Sequence, residues 1–262
     1  MRVLCLLLAF LIRPVYAETV DPTKSPYFAS GLDSLDDRLA FQNALDDLAT
    51  AGGGKLTAPT GTFLFTSVTQ ASPARIILDI PDNVEIVGEG DGTGFKIGPG
   101  MGDYDFMRPI CGVLNNARFA NFKVDGNGIN NLMPFGTRFL MDAITAPTAN
   151  QIVIDNVTCV NMSGERVFSF GTGSFGPSGT NITIIRCRIS TVADAVPGNT
   201  NIQDHSTIYL EARNALVADN IFMNLAQSIL ASGMEIHGDN IIVRDNIIDG
   251  YNLPIIGAAT NN

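Results

Sequence analysis

Beyond Pro81 the apolar and polar positions return at a nearly fixed interval, and each return begins with asparagine. The runs are "NVEIVGEG" from Asn83, "NARFANFKVDG" from Asn116, "NQIVIDNVTCVN" from Asn150, "NITIIRCRIST" from Asn181, "NALVADNIFMN" from Asn214 and "NIIVRDNIIDG" from Asn240. The steps between them are 33, 34, 31, 33 and 26 residues. Three positions after each asparagine stand Ile86, Phe119, Val153, Ile184, Val217 and Val243. Eight positions after it, four copies hold Val124, Ile189, Phe222 and Ile248. A period of about thirty with no helical spacing inside it predicts a β-solenoid. Each copy is then one coil of two or three short strands, and like positions stack into apolar ladders. Asparagines stacked at a corner can pass amide hydrogen bonds from coil to coil. A β-sandwich is the alternative, but it gives no reason for six aligned starts.

The segment before the repeat has a different period. In "SLDDRLAFQNALDDLATAGGG" the residues Leu39, Ala40, Phe41, Ala44, Leu45 and Leu48 fall on one helical face. Ser34, with Asp37 three residues on, fits a capping pattern. Gly52 to Gly54 stop the helix, since glycine enters the left-handed region at little cost. "KLTAP" and "TFLFTS" follow as short strands around a Pro59–Gly61 turn. The open end of a solenoid exposes strand edges and an apolar core, so an amphipathic helix there reads as a cap.

Asp36-Asp37 before the helix, Gly52 to Gly54 after it, and Pro59-Thr60-Gly61-Thr62-Phe63 beyond make a specific combination. Together with the Asn-headed repeats, from roughly Ser34 to Gly250, the chain resembles the pectate-lyase-like superfamily, phage tailspikes included. That resemblance implies an all-β fold: a single-stranded right-handed parallel β-helix with an N-terminal capping α-helix. It also implies work on polysaccharides, by lyases or glycoside hydrolases, or a silent attachment role, because fold does not fix function. The polygalacturonase set of Asn-Thr-Asp, Asp-Asp and Gly-His-Gly is not met. This chain has Asn199-Thr200-Asn201, Asp194 alone and His237-Gly238, which argues against pectin hydrolysis. No Arg or Lys stands convincingly beside an acidic cluster, as a calcium-dependent pectate lyase would need.

The first 17 residues, "MRVLCLLLAFLIRPVYA", have a basic start, an apolar stretch from Val3 to Ile12, and small residues ending at Ala17. They read as a secretory signal, which predicts an extracellular or periplasmic protein. Residues 18–33 read as an extended leader and 34–262 as the β-helix domain. The formal charge of −10 becomes −12 once Arg2 and Arg13 are removed. So acidic a chain lacks the basic footprint of a nucleic-acid binder. No apolar run of the mature chain is long enough to span a membrane. Outside the signal there are three cysteines, Cys111, Cys159 and Cys187, whose apolar neighbours favour buried free thiols. "DGYNLPIIGAATNN" starts another coil with no cap after it. That suggests truncation, or an end covered by another subunit, as in a homotrimer.

Chemistry gathers on two adjacent coils. Counting back from Asn214 and Asn240, Tyr209 is level with Glu235 and Glu211 with His237. Period-2 alternation turns Ile208, Leu210, Met234 and Ile236 inward and the four polar residues outward, stacked at about 4.8 Å. Two carboxylates, a phenol and an imidazole on one patch suit acid/base catalysis at a glycosidic bond or a sugar C5 proton. Tyr209, Glu211, Glu235 and His237 are the candidate catalytic residues, with Asp204 and His205 upstream as candidates for substrate binding. The plainer reading is an ordinary cross-strand polar pair on a solenoid surface. A wall of Glu could instead hold Ca²⁺ through oxygen ligands; no other cofactor is implied. Glu165-Arg166 reads as a surface ion pair in preference to a groove pair, Asp142 as a satisfied corner, and Gly171 to Gly179 as a loop protruding from one coil. The absence of Trp removes the commonest stacking platform for a sugar ring. The expected function is a secreted carbohydrate-active protein that cleaves a polysaccharide. Its alternatives are a non-catalytic binding or spike-like protein and a fragment of a larger enzyme.

Overall fold

A computed structural model of the chain describes residues 18–72, 74–131, 141–173, 177–191, 205–225 and 231–258. The segment read as a signal peptide, Asp194, Asn199-Thr200-Asn201 and Asp204 lie outside these residues. All the strands that stack between coils pair in parallel, and the chain winds as a parallel β-helix with, among the described residues, one α-helix, α1 (Arg38–Thr50).

Three faces build the wall, each with its own inward ladder. On the first face Leu56, Ile86, Phe119, Ile154, Ile184, Val217 and Val243 stack in register. On the second, Phe63, Phe95, Val124, Cys159, Ile189, Phe222 and Ile248 do so. On the third, Leu78, Met107, Ile144, Phe168, Ile208, Met234 and Ile255 form the ladder.

The register corrects the alignment of one coil. Asn150 lies level with Asn115, while Ile154, and not Val153, stacks on Phe119. The corner residue of that coil is therefore Gln151. Backbone angles give the reason: Asn83, Asn116, Gln151, Asn181, Asn214 and Asn240 all have φ between 51° and 60°. The corner demands a left-handed residue, and asparagine tolerates that conformation better than most non-glycine residues. A second left-handed corner follows five residues later, at Asn121, Asn156, Arg186, Asp219 and Asp245. Amide ladders run along both corners. Asn116 Nδ2 donates to Asn83 Oδ1 at 3.1 Å, Asn240 Nδ2 to Asn214 Oδ1 at 3.3 Å, and Asn156 Nδ2 to Asn121 Oδ1 at 2.9 Å.

The capping helix starts later than Ser34 and is not closed by it. Its N-cap is Asp37, whose side chain makes no capping bond. The Asp37 carboxylate instead accepts from the backbone N–H of Ser30 at 2.6 Å and of Leu64 at 3.0 Å. Asp36 accepts from Thr66 N–H at 2.9 Å and from the Ser67 hydroxyl. The acidic pair thus ties the helix start to the first coil. Phe41, Ala44, Leu45 and Leu48 are buried against that coil, and Phe41 meets Phe63 edge-on at 5.0 Å. Leu39, read as part of this face, is exposed, because it lies off the buried stripe. Gly53 (φ 126°) ends the helix against Asn83, where a Cβ would come within 2.5 Å of the Asn83 carbonyl oxygen.

Cys159 and Cys187 are buried free thiols inside the solenoid. Cys111 is exposed, contrary to its expected burial, because it sits in a turn between coils. Among the described residues no helix is long and apolar enough to cross a membrane.

Candidate functional site

The third face departs from strict alternation once per coil. Ile77-Leu78, Phe106-Met107, Ala143-Ile144 and Val167-Phe168 are consecutive pairs that both belong to the core. Two adjacent inward residues imply a local kink of the strand. The polar residues flanking each pair then share the outer side of the wall. Two stacked polar columns result. One carries Asp105, Asp142, Arg166, Ser206 and Ser232; the other carries Arg108, Thr145, Ser169, Tyr209 and Glu235.

The four candidate catalytic residues occupy adjacent rungs. Tyr209 is level with Glu235, and Glu211 with His237. Ile208, Leu210 and Met234 point into the core behind them. His205 opens the same strand, level with Ala231.

The patch is not open surface, however. Tyr209 and Glu211 are 1% and 0% exposed, and Glu235 and His237 are 8% and 4% exposed. Hydrogen bonds occupy the buried groups, as burial of polar atoms requires. The Tyr209 hydroxyl donates to Glu211 Oε1 at 2.5 Å, and the Thr172 N–H donates to Oε2 at 2.8 Å. Glu235 Oε2 accepts from the Ser206 hydroxyl at 2.9 Å, and its Oε1 lies 2.7 Å from His237 Nε2. The Tyr209 and His237 rings are 5.6 Å apart between centroids. Burial, reinforced by the bond to Glu211, pushes the Tyr209 phenol far above its ordinary pKa, so it stays a donor.

Neighbouring residues hold this quartet in place. Gly171 packs directly on the Glu211 carboxylate, where a Cβ would meet Oε2 at 2.7 Å. The segment read as a protruding loop therefore begins by closing over Glu211. The Arg166 guanidinium lies 3.9 Å from the centre of the Tyr209 ring and 3.3 Å from Glu165 Oε1. With side-chain exposures of 13% and 5%, Arg166 and Glu165 are an interior pair and not the surface pair expected. The sequence reading missed Arg166, Ser206 and Thr172 as partners; their level positions on neighbouring rungs were the available signal for the first two.

Lower on the same face, Asp105 Oδ2 takes Arg108 Nη1 at 2.5 Å, while Asp105 is level with Asp142. Asp142 was read as a satisfied corner, yet its Oδ1, like that of Asp105, is buried without a hydrogen-bond partner among the described residues. Among the described residues no cluster of three or more His, Cys, Asp or Glu offers a metal site.

The tailspike protein of E. coli bacteriophage HK620 in complex with pentasaccharide superposes with a TM-score of 0.71. It is 21% identical and covers 84% of this chain and 37% of its own. A double mutant of the same tailspike, also with pentasaccharide, gives a TM-score of 0.73 at 20% identity, over 89% of this chain and 40% of that one. The fold is shared with phage tailspikes. The SPbeta prophage-derived uncharacterized protein YomE of Bacillus subtilis is 44% identical over 55 residues, which is 21% of this chain and 8% of that protein. The chain thus spans under half the length of the tailspikes and a small part of the Bacillus protein. No family model matches.

Proposed function

We propose that the chain recognises and cleaves a polysaccharide outside the cell, using the Tyr209–Glu211–Glu235–His237 quartet. The observation that carries this reading is the pair of carboxylates on adjacent rungs in contrasting surroundings. Glu211 accepts from a phenol and a backbone N–H, whereas Glu235 faces an imidazole. Two carboxyl groups held apart in this way suit the acid and base roles of glycoside hydrolysis or of uronate elimination. In our assignment Glu211 is the base or nucleophile, and Glu235 with His237 is the acid arm. The pentasaccharide held by the HK620 tailspike supports polysaccharide as the ligand class. Assembly as a homotrimer is part of the proposal, and sedimentation equilibrium of the full chain tests it.

The deciding experiment is an activity screen on bacterial surface and plant polysaccharides. Reducing ends and unsaturated-uronate absorbance are read together, with Ca²⁺ present or chelated. Glu211→Gln and Glu235→Gln should each lower turnover at least a hundredfold while leaving the fold intact. Unchanged rates in both would remove the assignment.

A second reading has its own support. Glu211 is wholly buried with both oxygens engaged, which suits a structural column in a non-catalytic binding or spike-like protein. Saturable glycan binding with no change in chain length would favour it.

A further inference from the structure

We propose that Asp105 and Asp142 share one proton, held between the two carboxylate oxygens that lack a partner among the described residues, and so form a proton-binding site in the third face. The pair is separate from the quartet and independent of any catalytic reading. Three observations carry it.

The first is position. Asp105 and Asp142 are rung partners in parallel strands, so their side chains leave the wall from points about 4.8 Å apart. Both are almost wholly buried, at 1% and 2% exposure.

The second is the hydrogen-bond account. Asp105 Oδ2 is taken by Arg108, and Asp142 is bonded by Thr145. That leaves Asp105 Oδ1 and Asp142 Oδ1, both acceptors when ionised and both without a donor among the described residues. A buried acceptor without a donor is costly. Protonating one acid supplies a donor to the other, and a single O–H···O bond satisfies both atoms.

The third is charge. The groups acting on Asp142 are Asp105 from the coil before, Thr145 on its own strand, and Glu165 and Arg166 from the coil after. Those acting on Asp105 are Arg108 and Asp103. The Tyr104 phenol feels Asp125 and Asp142 and is held neutral by burial. Among the described residues acting here, the three carboxyl groups of Asp105, Asp142 and Glu165 outnumber the two guanidinium groups of Arg108 and Arg166, which disfavours ionising Asp142 as well. Burial first, and the charge of Asp105 second, push Asp142 well above the usual carboxylate range. Asp105 is raised as well, mainly by burial, so the proton belongs to the pair. A cation between the two carboxylates would fill the same gap, but two ligands flanked by two guanidinium groups make a poor metal site.

The sign of the consequence follows. The native pair binds a proton that the unfolded chain has released. The stabilisation is complete below the unfolded carboxylate pKa of about 4. It is lost as pH rises through the raised native value.

Urea unfolding of the full chain between pH 5 and 9 reads this out. One proton taken up by the native state alone lowers the folding equilibrium constant by up to tenfold per pH unit. Asp142→Asn keeps a donor facing Asp105 without a titrating proton, so its profile should be flatter than that of the unaltered chain by that amount. The comparison removes the contributions of Asp37 and Asp79, whose carboxyls burial also raises. Infrared spectra of the unaltered chain, with aspartate carbon-labelled, should show a protonated-carboxyl band near neutral pH, and Asp142→Asn should remove it. Absence of that band in the unaltered chain overturns the proposal even where the variant fails to fold. Parallel pH profiles, or no protonated band, would overturn the proposal. So would Ca²⁺ raising the urea midpoint of the unaltered chain but not of Asp142→Asn, which would make the pair a cation site.

Discussion

Tyr209 and Glu211 lie two residues apart on one strand and are joined by a hydrogen bond of 2.5 Å from the phenol to Glu211 Oε1, with neither side chain open to water. Removing the donor takes the phenol from the buried Oε1, while the Thr172 amide and hydroxyl remain on Oε2. Tyr209→Phe should therefore cost about 1–3 kcal/mol of stability, the usual consequence of depriving a buried polar group of a partner. The expected readout is a lower urea midpoint with unchanged far-ultraviolet dichroism. A midpoint equal to that of the unaltered chain would mean that another donor replaces the phenol.

Gly171 presses on the same carboxylate from the other side. A methyl group there would sit 2.7–2.8 Å from Glu211 Oε2, Cδ and Cγ, inside contact distance. Gly171→Ala should displace Glu211 and cost about 1–3 kcal/mol, the range for overpacking. On the catalytic reading it should also lower turnover far more than Gly173→Ala, since a Cβ at Gly173 meets no atom of the described residues within 4 Å. Equal effects of the two substitutions on activity would separate Glu211 from the chemistry. Gly173 has φ 77°, so its alanine variant has a backbone cost of its own, and a thermal melt of each variant calibrates the comparison.

Much of this architecture was legible in the chain because a solenoid writes its period directly into sequence. Ile86, Phe119, Ile184, Val217 and Val243 were placed on one ladder by counting from asparagine. The count failed at Asn150 because the physical requirement is a left-handed corner residue, and Gln151 meets it without being asparagine. The second corner, five residues after the first, was invisible for the same reason: Asn, Arg and Asp all serve there. Burial of the quartet was not legible either. Alternation tells which side of the wall a residue leaves from, but not what else lies over it. The kink that places Ser206 beside Glu235 depends on two consecutive inward residues, and period-2 counting does not allow for them.

Gln151 offers a constructive test of the corner rule. Its φ of 58° is strained for an ordinary side chain, and its neighbours at the same corner, Asn116 and Asn181, are the better-suited residue. Gln151→Asn should stabilise the chain by about 0.5–1 kcal/mol, a part of the left-handed penalty that asparagine is spared. Gln151→Val, β-branched at the same φ, should destabilise it by at least as much. The two urea midpoints should fall on opposite sides of the parent. The same direction for both would remove backbone conformation as the cause.

The helical cap should behave as part of the core. Phe41 meets Phe63, Phe65 and Phe95 edge-on, with centroids 5.0, 5.4 and 5.5 Å away. Phe41→Ala should cost about 3–5 kcal/mol, the usual loss for a buried aromatic. Leu39→Ala, on the exposed side of the same helix, should change stability by less than about 0.5 kcal/mol. Hydrogen exchange should show whether the loss is local. If the helix is a separable lid, Phe41→Ala speeds exchange in residues 38–50 alone; if it seals the solenoid, exchange also rises in the coil strands Gly54–Thr57 and Gly61–Phe65. The edge-on contacts favour the second pattern.

The three thiols of a chain beginning at Glu18 should report native packing without any mutation. Cys111 is exposed, whereas Cys159 and Cys187 lie within the second face and its corner. Burial pushes the Cys187 thiol up to about 12 and the Cys159 thiol far above its ordinary value, so neither yields thiolate at neutral pH. A disulfide reagent at pH 8 should therefore label one thiol quickly and leave two until the coils open. The slow phase should accelerate with urea in step with the loss of tertiary signal, because reaction at Cys159 or Cys187 requires the ladder Val124–Cys159–Ile189 to separate. Two or three fast thiols in the native protein would contradict the packing of this ladder. A single fast thiol that persists in Cys111→Ser would show that one of the inner two is reachable from solvent.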